Sequence, residues 1–150
     1  GREAPTPLLG AALDYFEVLP EEFCEAAFRR RLPHKKLRET PPLVFAAWQE
    51  GDPAAARLVE LAAQDYALAA CAMIAGTGSD HPDVCFGGGV IAQAPAAFWE
   101  RLTALVRAQY PNAPISPPAL PPEYGAAVMA GFFTGLDPVL LFTALRERMP

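Results

Sequence analysis

Three consecutive glycines are the residues whose type and spacing come closest to chemistry in this chain. In the run Val84-Cys85-Phe86-Gly87-Gly88-Gly89-Val90 a short apolar stretch, read as a buried strand, passes directly into bare backbone. The next helix is expected to begin near Pro95. Consecutive glycines lose more conformational entropy on folding than other residues, so they are useful where the chain takes positive φ or where a ligand lies against the backbone. Nucleotides bind at the carboxyl ends of strands in α/β sheets, the position these glycines would occupy. A plain tight turn uses the same residues, and spacing alone leaves both readings open.

Other reactive side chains are arranged less suggestively. Asp14, Asp52, Asp65, Asp80, Asp83 and Asp137 sit at expected caps, turns or helix faces, and none is read as a catalytic base. Cys24, Cys71 and Cys85 are odd in number, far apart and set in apolar surroundings, so buried reduced thiols are expected. His34 and His81 have no ligand-spaced partner, and no metal site is expected. The basic run Arg29-Arg30-Arg31 with His34-Lys35-Lys36 follows Glu21, Glu22 and Glu25. Acid first and base last is the order a helix dipole prefers, so a solvated helix end is preferred over a phosphate-binding patch.

The elements that must position the glycines follow from periodicity and punctuation. Thr6-Pro7 is expected to cap a first helix reaching Phe16, Pro20 to open a second that stops at Pro33, and Pro42 to Glu50 to form a third. Asp52-Pro53 is a cap and a first-turn proline opening the longest helix, to about Ala75. Its half from Ala67 to Ala75 is apolar all round and is expected to be buried on every face. Beyond the glycines come a helix from Pro95 to Gln109 with Phe98, Leu102, Leu105 and Val106 on one stripe, a short strand at Ile115, and helices from Glu123 to Phe133 and from Asp137-Pro138 to about Arg148. Helices, then strand, helix, strand, helix indicate an α/β fold, helix-rich, with helices packed on a small, mostly parallel sheet.

At 150 residues, length suggests one core. The 52% apolar and 19% charged content is that of a folded globular chain. A net charge of −5 offers no basic footprint for nucleic acid or an anionic membrane. The apolar run from Tyr66 to Gly76 falls short of the ~20 residues of a spanning helix. No signal-peptide pattern opens the chain, and a cytoplasmic setting is expected.

Taken in order, Leu43-Val44-Phe45, Gly51-Asp52-Pro53-Ala54-Ala55, a long alanine-rich helix, Phe86-Gly87-Gly88-Gly89-Val90 and Pro122-Glu123-Tyr124-Gly125-Ala126-Ala127 resemble the C-terminal lobe of the BadF/BadG/BcrA/BcrD ATPase family. That family includes N-acetylglucosamine kinase and is similar to the actin, hexokinase and Hsp70 superfamily. The resemblance runs from Thr6 to about Gly131 and implies a ribonuclease H-like lobe, one of two that close around ATP. It implies that Gly87, Gly88 and Gly89 lie against the nucleoside or its α-phosphate, and that Gly125 lets its helix approach the nucleotide, close helix packing being the alternative. Gly76-Thr77-Gly78-Ser79 resembles the family's second phosphate loop but stands in the wrong context, after the helix, and is read instead as a glycine-capped helix end.

The implied activity is ATP-dependent phosphorylation of an amino sugar, with ATP and magnesium as cofactors and the magnesium held mainly by an N-terminal lobe. Catalytic base and phosphate loops match no residue here, so this chain by itself is expected to be inactive. The implied partners are ATP, the sugar, the N-terminal lobe of the same protein and a second copy in a homodimer. Two alternatives stand beside this reading: a BadF-like activator ATPase, disfavoured by the lack of cluster-ligating cysteines, and a non-enzymatic helical interaction module whose glycines are structural.

Overall fold

The structure is a computed structural model and describes residues 5–29, 31–78 and 82–148. It is helix-rich with a small two-stranded parallel sheet, in keeping with the α/β class. Where length suggests one core, the contacts gather the chain into two compact units, Gly1–Ile115 and Ser116–Pro150.

In the first unit, α1 (Pro7–Phe16), α2 (Pro20–Phe28), α3 (His34–Arg38) and α4 (Pro41–Gln49) lead into the central α5 (Pro53–Thr77). Then come β1 (Val84–Cys85), α6 (Gly89–Ala92) and α7 (Ala96–Gln109), and β2 (Ile115–Ser116) falls at the boundary where the first unit ends. α4 and α7 pack against α5. Alanines at 55, 63, 67 and 70 form the buried side of α5, and this lets α7 approach closely enough to bury Phe98, Leu102 and Val106 completely. Each such side chain contributes about 1.5–3 kcal/mol on leaving water. The α5–α7 contact also carries a two-pronged ion pair, with Arg101 Nε donating to Glu60 Oε2 at 2.9 Å and Nη2 to Oε1 at 2.6 Å. The Arg101 bonds, joined by one from Gln64, hold the Glu60 carboxyl down to about 2. Both partners are well exposed, so water and salt screen the pair and it adds little to stability.

A single buried carboxylate caps two helices. Asp52 Oδ1 accepts the N–H groups of Ala54 and Ala55 at the start of α5, at 2.8 and 2.9 Å, while Oδ2 accepts Leu8 N–H of α1 at 2.8 Å. Thr6, expected to cap α1, makes no side-chain cap bond; its hydroxyl bonds to Asp52 instead. Desolvation pushes the Asp52 carboxyl up, but the bonds from Ala55, Leu8, Thr6 and Ala54 outweigh it and leave the carboxyl below its ordinary value.

Several elements differ from expectation. α2 stops at Phe28 rather than running on to Pro33, because Arg31 N–H turns back to the Ala26 carbonyl at 2.8 Å and closes the helix. α3 was not expected, since Leu37 is its only apolar residue and it has no periodicity to read. The four-residue α6 starts on a glycine and was equally hidden. Cys24 and Cys85 are exposed, and Cys71 alone is buried, where desolvation pushes its thiol up. β1 is likewise not a buried strand: Val84 is half-buried and Cys85 exposed.

The second half of α5 is not buried on every face. Ala67, Ala70, Cys71 and Ile74 are buried, but Leu68 is 68% and Met73 74% exposed. As one continuous helix α5 is long and apolar enough, by length and composition, to cross a membrane, contrary to the reading from Tyr66 to Gly76. Its buried alanine flank against α4 and α7 is also what the core helix of a globular unit presents.

Four members of the basic run are paired with acids. Glu25 takes Arg29 and Arg31 at 3.1 and 4.0 Å, Glu39 takes Lys35 at 3.9 Å, and Glu17 takes Lys36 at 2.9 Å. Lys36 also donates to the Tyr15 carbonyl and lies 5.6 Å from the Tyr15 ring centre, tying α3 to the end of α1.

The second unit is a hairpin of α8 (Pro122–Phe133) and α9 (Pro138–Glu147). Asp137 caps α9 through Val139 and Leu140 N–H. Gly131 is buried at the crossing, where a Cβ would fall 2.6 Å from Leu141 Cδ2. Phe132, Phe133, Leu136, Val139 and Leu140 are exposed.

The Asp52 carboxylate generates a prediction. Because its folded pKa lies below the ordinary 3.8, the stability it contributes is present above that value and is lost as pH falls through the folded pKa. Asp52→Ala should lower the melting temperature at neutral pH by on the order of 3 °C or more. Asp52→Asn, with one acceptor oxygen instead of two, should lower it less. Both should lose part of the acid destabilisation seen below about pH 4, and melts at neutral and acid pH would check all three outcomes.

Candidate functional site

The glycine loop is held from behind by aromatic packing. Phe86, directly after β1, is buried, and its ring meets Tyr66 of α5 at 6.3 Å and Trp99 of α7 at 6.0 Å, both edge to face. Tyr66 in turn meets Phe98, and Phe98 meets Phe45 of α4. The strand end is fixed on its other side where Val84 N–H donates to the Pro114 carbonyl at 2.9 Å. The backbone that emerges carries no side chains for three residues. Gly87 and Gly88 are exposed, and Gly88 stands at φ 104°, ψ 167°, a conformation essentially confined to glycine. Gly89 opens α6, the Gly88 carbonyl accepting Ala92 N–H at 3.0 Å. Gln93 Nε2 donates to the Gly89 carbonyl at 2.7 Å.

Beside this loop runs a groove of about 340 Å³ along the second half of α5. Its helix wall is Tyr66, Ala69, Ala70, Met73, Ile74 and Thr77, and its other wall is the segment from Pro82 to Gly87. The volume falls at the lower end of the range for small-molecule sites. Its lining is mostly apolar. Among the polar groups, Thr77 donates its hydroxyl to the Ile74 carbonyl at 2.8 Å, Asp83 is an exposed carboxylate, and among the described residues no Lys or Arg lines the space. A second apolar groove, about 320 Å³, runs past Thr40, Val44, Leu58 and Val90 and shares Tyr66 with the first.

Of the four glycines singled out from the sequence, Gly87 lines the first groove and Gly88 and Gly89 follow it. Gly125 belongs to the other unit, half-buried within α8, and a Cβ there would meet nothing within 4 Å. Close packing, the alternative considered for Gly125, falls instead to Gly131. Gly76 and Thr77 complete α5, and Gly78 closes it in the left-handed conformation at φ 62°, as a glycine-capped end requires. Ser79, Asp80 and His81 lie outside the described residues.

Sequence reading missed the helix wall. Its residues recur at 66, 69, 70, 73, 74 and 77, one stripe of a helix, but in a segment apolar on all sides that stripe could not be told from core. Among the described residues no group of three or more His, Cys, Asp or Glu side chains could hold a metal ion. Compared with known proteins, the chain matches no family model, no curated protein and no solved structure.

The geometry separates two glycines by experiment. Gly88→Ala meets no atom within 4 Å but must hold a glycine-only angle, and should cost about 1–3 kcal/mol by backbone strain. Gly125→Ala, in a helix with open space beside it, should instead stabilise by about 0.5–1 kcal/mol. Denaturant unfolding of the two variants would show opposite signs.

Proposed function

We propose that this chain is the nucleoside-binding part of an ATP-dependent small-molecule kinase, acting on an amino sugar such as N-acetylglucosamine. The observation that carries the reading is the exposed, side-chain-free backbone of Gly87 and Gly88 beside an apolar groove of about 340 Å³. The face of a flat base can lie against alanines and the Tyr66 ring, and bare backbone allows close approach. Phosphoryl transfer is mostly positioning and charge stabilisation. A groove lined by no Lys or Arg among the described residues supplies the first for the nucleoside; in this reading the phosphates, the magnesium and the proton-accepting base fall to a further lobe. In this reading the helices and short parallel strands are part of a ribonuclease H-like lobe of the BadF/BadG type.

A second reading, a helical interaction module, is favoured by a different observation. Leu58, Leu61, Leu68 and Met73 are exposed on α5. So are Phe132, Phe133, Leu136, Val139 and Leu140 in the second unit. Patches of this kind mark surfaces that meet another protein.

Calorimetric titration of the chain with ATP, ADP and adenosine separates the two. The kinase reading expects saturable binding of all three, and binding weakened at least tenfold by Gly88→Val under conditions where circular dichroism shows the variant folded. A folded wild-type chain that binds none of them, or a folded Gly88→Val variant that binds as wild type, would sink it. The chain alone should release no ADP on addition of N-acetylglucosamine and ATP; measurable sugar-dependent turnover would contradict the assignment of base and phosphate loops to another lobe.

A further inference from the structure

We infer that the Tyr66 hydroxyl is the polar contact by which the groove beside Gly87 reads the nucleoside part of its ligand; the inference rests on the nucleotide reading of that groove. Tyr66 lies on α5 midway along the unit's core, with its ring clamped edge-on by Phe86 at 6.3 Å and by Phe98 at 6.4 Å. Two perpendicular neighbours set the plane of the ring, so the direction of the phenol is decided by the core and not by solvent.

Its hydroxyl nevertheless makes no hydrogen bond to any described residue. Nor is it among buried polar atoms left without a partner, for there are none among the described residues. A half-buried tyrosine whose ring is fixed by the core, and whose hydroxyl is reached from outside it, is suited to donate to something that enters. Tyr66 lines both this groove and the second one, and in this groove the other hydroxyl among the described residues, that of Thr77, is engaged with the Ile74 carbonyl. Asp83 can only accept, and a thiol such as that of Cys85 is a weak donor. Among the described side chains Tyr66 is therefore the strong neutral donor of the lining, matched to a ring nitrogen of a base or an oxygen of a ribose. Apolar grooves gain their selectivity from a few such placed polar groups.

Tyr66→Phe removes the oxygen and leaves the ring packing in place. Calorimetry of wild type and variant with adenosine and with ATP, alongside thermal melts, reads the result. The expected outcome is an unchanged melting temperature and a Kd raised about 3–10-fold for both ligands alike, because the contact is to the part they share. Equal affinities in wild type and variant would overturn the inference while leaving the nucleotide reading intact. A loss confined to ATP, or one accompanied by a matching fall in melting temperature, would also overturn it, assigning the hydroxyl to phosphate or to the fold. A wild-type chain that binds neither ligand would overturn the inference and the nucleotide reading together.

Discussion

Phe98 sits where α7 crosses the alanine flank of α5, fully buried and edge-on to both Phe45 and Tyr66, and the rest of the first unit is arranged around that contact. Small residues on α5 make the approach possible, and aromatic rings fill the space that remains. From Phe98 the packing passes through Tyr66 to Phe86 and on to Trp99. Phe86 is the last side chain before the glycines, so this chain of rings determines where the bare backbone leaves the core. The strand pair itself is too short to do so, with two residues in each strand.

Polar interactions hold the periphery in a different way. Asp52 gives both carboxylate oxygens to helix starts, which makes the docking of α1 and the first turn of α5 parts of one event. Being buried and fully bonded, it matters more than the exposed pairs, whose side chains retain water and salt screening. The basic run illustrates the point. Read linearly it has the composition of an anion-binding patch, yet acids from α2, the end of α1 and the end of α3 lie within 4.0 Å of four of its members. Pairing of this kind costs little and commits the charges locally.

The glycines divide by what the backbone asks of them. Gly51, Gly78, Gly88 and Gly135 have positive φ, Gly131 makes room for Leu141, and Gly125 does neither. Of these, Gly78 and Gly88 combine a conformational requirement with exposure, each directly after a residue that lines the groove. A turn residue needs only the first, so the proposed nucleoside contact rests on the surroundings of Gly88 and not on its identity.

Much of this was decided by the sequence alone. Asp52-Pro53 and Asp137-Pro138 start helices because a carboxylate accepts the free N–H groups and proline suits the first turn, interactions complete within four residues. The stripe of Phe98, Leu102 and Val106 was legible for a similar reason, since a polar opposite face made its period visible. Where local rules had nothing to contrast, they failed. The apolar second half of α5 gave no indication which side would be buried, so the groove wall from Tyr66 to Thr77 could not be distinguished from core. Thr6 looked like the cap of α1, but the better acceptor came from Asp52, forty-four residues away from Leu8. Burial of Cys71 but not Cys85, the edge-on clamp on Tyr66 and the space beside Gly87 are properties of surfaces brought together from distant segments. Only the packing of α5, α7 and β1 determines them, because each depends on which side chains occupy the remaining volume.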